Sequence, residues 1–164
     1  MSEMVVPDGW DKLFFSEFGK LIKGITYSSS NYTDRNSGNP FLTIKCISKN
    51  GGFSKQGLKF YDGKFKEDHI LKVGEIVFAN TDLTRNGDIV GSPLKMVELG
   101  FSQSTLFSMD LSKVVVNERK VYSNYLYFWM MQPYVKRFMV NVSAGSTVLH
   151  LNTKSVLKLN GVFP

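Results

Sequence analysis

Apolar and polar positions alternate in short runs through the first two thirds of the chain, and they lengthen to helical spacing only after residue 122. Leu13-Phe-Phe-Ser-Glu-Phe18 ahead of Gly19 predicts a short strand and one helical turn stopped by glycine. Leu21 to Ile25 predicts a strand ending in a bend at Gly24. Phe41-Leu-Thr-Ile-Lys-Cys-Ile-Ser48 alternates well enough for a strand, and Leu58-Lys-Phe-Tyr61 for another. Ile76-Val-Phe-Ala-Asn80 is continuously apolar at its start, the mark of a strand covered on both faces. Asn86-Gly87 is a hairpin signal, with Ile89-Val-Gly91 as the expected partner strand. Residues 94–99 and 101–109 add two more expected strands, the second carrying Ser102, Gln103 and Ser104.

From Ser123 the spacing changes. Leu126, Trp129 and Met130 fall on one helical face, with Ser123 as the expected N-cap. Pro133 ends that helix and suits the first position of a second one running to Asn141. The tail reads as a small hydroxyl-rich loop, a short helix capped by Asn152 or Thr153, and a closing strand at Val162-Phe-Pro164. Strands first and helices after them define α+β: a β-rich N-terminal body of short twisted strands followed by a small helical part.

Three features modify this outline. The chain has 164 residues, 43% of them hydrophobic and 13% aromatic, enough for a core in one domain. The net charge is +6 and the isoelectric point about 9.4, which favours a polyanionic partner without deciding it. Cys46 is the one cysteine and sits in an apolar run, so it reads as a buried small hydrophobe in a reducing, cytoplasmic setting. No apolar run approaches the roughly 20 residues of a membrane span, and the amino terminus lacks a signal pattern.

Catalytic patterns are missing. No glycine-rich phosphate loop, paired-cysteine metal site, His-Glu-x-x-His helix or nucleophile elbow occurs. Asn39-Pro40-Phe41 lacks the second proline and the tyrosine of the Asn-Pro-Pro-Tyr element of adenine methyltransferases. His69 and His150 stand alone, and Asp82 and Asp88 flank a turn, where aspartate is ordinary. The chain reads as no enzyme, with no cofactor.

Segments in order along the chain resemble the target recognition domain of type I restriction-modification specificity subunits. Gly9-Trp10 with Phe18-Gly19-Lys20-Leu-Ile-Lys-Gly24-Ile-Thr26 resembles the family's opening. Val73-Gly74-Glu75-Ile76-Val77-Phe78-Ala-Asn-Thr81 resembles its Gly-Asp-Ile strand, and Tyr125-Leu-Tyr127 its helix start. Ser143-Ala-Gly-Ser-Thr-Val-Leu-His-Leu-Asn152, then Val156 to Leu159 and Val162-Phe-Pro164, is similar to its Ser-Gly-Ser-Thr tail. Tyr27 stands where the family has proline, Glu75 where aspartate is commoner, and the end carries one proline instead of two. The resemblance implies a DNA methylase specificity domain-like fold. It implies sequence-specific binding of double-stranded DNA at one half of a bipartite target, without catalysis. The partners it implies are modification (methyltransferase) subunits and, through them, the restriction subunit. S-adenosylmethionine and ATP would be used by those partners and not by this chain. The spacer helices and second recognition domain of the family are absent from these 164 residues, which are expected to form a single recognition domain.

Base reading needs short polar side chains and cations on loops. The long polar stretch 26–40 offers Tyr27, Ser28, Asn31, Tyr32 and Arg35. The turn after residue 79 offers Asn80, Thr81, Thr84, Arg85 and Asn86. The tail loop offers Ser146, Thr147 and His150, and Lys45, Gln103 and Ser104 are expected on strands facing the same side. Each loop also has a plain reading as a solvated turn. Lys55, Lys59, Lys64, Lys66 and Lys72 form a denser basic region, either phosphate-contacting or simply solvated. Lys136 and Arg137 are expected on the outer side of the second helix. The alternative for the whole chain is a protein-protein interaction or assembly module without direct DNA binding, motivated by the aromatic cluster Tyr122, Tyr125, Tyr127, Phe128 and Trp129.

Overall fold

A computed structural model of the chain describes residues 3–164. The elements run β1 (Asp11–Phe14), α1 (Phe15–Phe18), β2 (Gly19–Lys23), β3 (Asn39–Leu42), β4 (Lys59–Tyr61), β5 (Ile76–Ala79), β6 (Thr81–Asp82), β7 (Pro93–Lys95), β8 (Leu106–Phe107) and β9 (Leu111–Val116). There follow α2 (Ser123–Met130), α3 (Pro133–Asn141), β10 (Ser143–Ala144), β11 (Leu149–Leu151), α4 (Thr153–Val156) and β12 (Asn160–Phe163). The expected order of strands first and helices after holds, with short strands closing the chain.

A four-stranded antiparallel sheet, in the order β2-β9-β5-β7, divides the molecule. Every residue of β5 is buried, as its unbroken apolar run predicted. Successive strand side chains point to opposite faces, so β5 serves two cores at once. Ile76 and Phe78 join Phe15, Leu126, Trp129, Met139 and Phe163 on the helical side. Val77 and Ala79 join Leu42, Cys46, Leu94 and Phe107 on the other. Fully burying a side chain such as Phe78 or Phe107 stabilises the fold by about 1.5–3 kcal/mol. A smaller cluster of Ile25, Phe41, Tyr61 and Leu106 lies under the first polar loop. The chain's two ends meet where β1 pairs antiparallel with β12, Asp11 opposite Phe163. Gly161 is needed there, because a Cβ would sit 2.6 Å from the Trp129 indole.

Several expected elements take another form. The 41–48 strand ends at Leu42 and gives way to a 3-10 turn at Ile44–Cys46. The turn is held because the Thr43 hydroxyl donates to the Gly57 carbonyl at 2.7 Å. Ile89 and Val90 form no partner strand to β5. Their amides are taken by the Asp82 carboxylate, at 2.5 and 2.7 Å, and β7 pairs with β5 instead. The expected strands at 94–99 and 101–109 shrink to β7 and β8, so Gln103 and Ser104 stand on an exposed loop. The longest strand, β9, has no counterpart in the sequence reading. Ser123 is the first residue of α2 and not its cap; its amide and hydroxyl both donate to the Glu118 carboxylate. Pro133 opens α3, and Asn152 caps α4 by accepting the Ser155 amide at 3.3 Å, both as expected.

Candidate nucleic-acid interface

Two of the three candidate loops leave one small sheet, ordered β10-β11-β6. His150 pairs with Thr81 on one side and Ala144 on the other, which puts the imidazole, exposed, at the centre of this sheet. Beyond it, Ser146 and Thr147 are exposed at the hairpin tip. Gly145 makes that tip possible: its φ of +143° is closed to most side chains, and a Cβ would run into the Val148 carbonyl. Arg85 and Asn86 are exposed on the neighbouring loop. Gly87 presses that loop in, since a Cβ there would meet Val140 of α3 at 2.9 Å and Leu149 of β11 at 3.4 Å.

Asp82 builds the Arg85 loop from inside. Its carboxylate is fully buried and accepts the Thr84 amide at 2.7 Å and the Thr84 hydroxyl at 2.6 Å, besides the amides of Ile89 and Val90. Burial works against its charge, but the Thr84 hydroxyl and these amides outweigh it and hold the carboxyl below the usual range. Thr84 thus has an internal role, and its hydroxyl also accepts the Asp88 amide at 2.9 Å. Lys136 holds the same loop from outside. Contrary to its expected place on the outer face of α3, it is partly buried and donates to the carbonyls of Asp88 at 2.9 Å and Val90 at 2.7 Å and to the Ser92 hydroxyl at 3.0 Å. Burial pushes its ammonium down to about 8, against the pull of Asp82 and Asp88. Arg137 stays exposed, as expected.

Asn80, Thr81 and His150 meet in a cleft of about 280 Å³ between these strands and the ends of β2 and β9. Asn80 is buried, and its amide nitrogen donates to the Met109 carbonyl at 3.2 Å. The Thr81 hydroxyl donates to Asp110 at 3.3 Å. Lys23, Asp110 and Ser112 complete the walls. The sequence reading missed Lys23 and Asp110, because neither lies in a polar run and only the pairing of β2 with β9 brings them together.

The first loop forms a second group. Tyr27 and Tyr32 are half-buried, their rings 5.1 and 6.3 Å from the Phe41 ring, so the stretch holds more apolar surface than its composition implied. Burial and the adjacent Tyr27 phenol push the Tyr32 hydroxyl upward, and Asp110 is near enough to add to the effect. Arg35 lies over the Phe101 ring at 5.0 Å, and Asn39 donates to the Ser104 carbonyl at 3.1 Å, which brings the loop at 102–104 alongside. Ser28 is exposed and Asn31 partly so, and both side chains are engaged within the loop: the Ser28 hydroxyl bonds the Ser30 hydroxyl, and the Asn31 side-chain oxygen accepts the Ser28 amide at 3.4 Å. Lys59 stands over Tyr32 at 5.8 Å, and Lys55, Lys64, Lys66 and Lys72 are exposed. Lys45 is exposed on the 3-10 turn and joins neither group.

The fold is similar to part of the specificity (S) subunits of type I restriction-modification systems. The crystal structure of the HsdS subunit from Thermoanaerobacter tengcongensis matches with a TM-score of 0.66 at 14% identity, over 99% of this chain and 35% of that one. A structure concerned with complex assembly and conformational transition of the type I R-M system gives 0.67 at 13% identity, over 99% and 36%. The S subunit from M. genitalium gives 0.58 at 10% identity, over 98% and 36%. The chain therefore spans about a third of each of these proteins. No family model matches the sequence, and no curated protein matches it significantly.

Proposed function

We propose that the chain is a non-catalytic target recognition domain that binds double-stranded DNA and reads one half of a bipartite target. The observation that carries this is the convergence of two loop tips, Arg85-Asn86 and Ser146-Thr147, on the sheet that presents His150, in a chain of net charge +6. Backbone-built loops of this kind hold short polar side chains at fixed positions, which base reading requires. The modification subunits, and through them the restriction subunit, are the partners we propose. The exposed Phe128 and Tyr134 beside Met4, Val5 and Trp10 line a groove of about 430 Å³ that offers such a partner apolar contact. A module that binds only protein is the less favoured reading, since it leaves the two polar loop tips without a role. None of the described helices is long and apolar enough to cross a membrane, and a buried thiol fits a reducing, cytoplasmic setting.

A duplex titration at two salt concentrations, with and without the modification subunit, tests the reading. Binding that weakens steeply with salt is expected. Absence of binding to every duplex at low salt, with the subunit present, would rule it out. Arg85→Ala should relax preference at one base pair if the guanidinium reads guanine, and weaken all sequences alike if it touches phosphate.

A further inference from the structure

The cleft beneath His150 offers a donor-acceptor set that neither loop tip supplies. Asp110 is partly exposed; one carboxylate oxygen accepts the Thr81 hydroxyl at 3.3 Å, and the other has no hydrogen-bond partner among the described residues. Asn80 is 6% exposed, and its side-chain oxygen is shielded and unpaired. Such an acceptor is costly unless a donor reaches it. Lys23 is exposed at the end of β2 and takes part in no ion pair among the described residues. The inner wall therefore accepts, and the Lys23 rim donates. In the major groove a G·C pair presents the cytosine N4 amine beside the guanine O6 and N7 acceptors, and carboxylate and lysine are the side chains that match them. An A·T pair divides its acceptors between adenine N7 and thymine O4, on either side of the adenine amine, so a lysine meets no adjacent pair of acceptors there as it does at guanine O6 and N7.

We propose that this cleft reads one G·C pair of the target, with Asp110 accepting from the cytosine amine and Lys23 donating to the guanine. The assignment rests on the reading of the chain as a duplex-DNA-binding domain. It is tested by selecting duplexes from a randomised pool with the wild-type chain and with Asp110→Asn, Lys23→Met and Lys23→Arg, and then titrating the enriched duplexes. Asp110→Asn keeps an acceptor for Thr81 and replaces the free oxygen with an amine. It should lower the preference for one G·C pair about tenfold while the other positions of the motif are retained. Lys23→Met should relax the same pair, and Lys23→Arg should keep its guanine. Unfolding midpoints of the variants are recorded alongside, and they distinguish impaired base reading from impaired folding. If all variants enrich the wild-type motif at equal strength, or if the relaxed pair is A·T, the cleft assignment falls and DNA binding stands. If the wild-type chain binds no duplex, both fall together.

Discussion

Asp82 carries four hydrogen bonds in a site closed to solvent, and their removal leaves three backbone amides and the Thr84 hydroxyl without their acceptor. Asp82→Ala should therefore destabilise the fold by about 3 kcal/mol, read from urea unfolding. Because the carboxyl is held below its ordinary range, its contribution is complete above the unfolded value near 4 and is lost as pH falls through the folded value. The acid limb of stability against pH should accordingly be shallower in Asp82→Ala. Lys136 has the opposite consequence. Its ammonium is depressed from 10.5 to about 8, so between those values the unfolded chain binds more protons than the folded one. Stability of the wild-type chain should rise with pH across that window relative to Lys136→Met, measured as the difference in unfolding midpoints. Asp82 reads from sequence as an ordinary turn aspartate and Lys136 as a solvated helix lysine. Their roles depend on groups up to 48 positions away, which no local pattern records.

At the scale of elements, the tail hairpin is the most exacting. Gly145→Ala places a Cβ against the Val148 carbonyl at a φ few side chains adopt, at a cost of about 1–3 kcal/mol. The expected outcome is a lowered unfolding midpoint together with weakened duplex binding, since Ser146 and Thr147 lose their positions. Elements whose burial is periodic were legible in advance. β5 is apolar throughout, and Leu126, Trp129 and Met130 of α2 are all buried as their spacing demands. Elements whose form depends on a distant acceptor were not. The Asn86-Gly87 turn promised a hairpin, but Asp82 captured the amides that a partner strand would have used.

For the whole molecule, charge sets the expectation. Lysines 55, 59, 64, 66 and 72 are all exposed, and Lys59 lies over Tyr32 of the first loop. Replacing Lys55, Lys59 and Lys64 by alanine should reduce the slope of log affinity against log salt by about one for each phosphate that is no longer neutralised, with the preferred sequence unchanged. The same titration separates this surface from the loop tips, where substitutions should alter sequence preference more than salt dependence.

What the amino-acid order determined by itself was the α+β class, the succession of a β-rich part and a helical part, the buried central strand and the three polar stretches. Periodicity and turn chemistry are local properties, and short segments express them wherever they lie. The resemblance in the opening, middle and tail segments also pointed to the specificity-subunit fold that the solved structures share. Only the tertiary structure decided which polar residues are spent internally, as Thr84 is on Asp82, and which stand free, as Arg85, Ser146 and Thr147 do. It alone set Lys23, Asn80 and Asp110 around one cleft, because sheet pairing joins residues 57 and 87 positions apart, and the hydrogen-bonding capacity of a side chain is known only once its neighbours are.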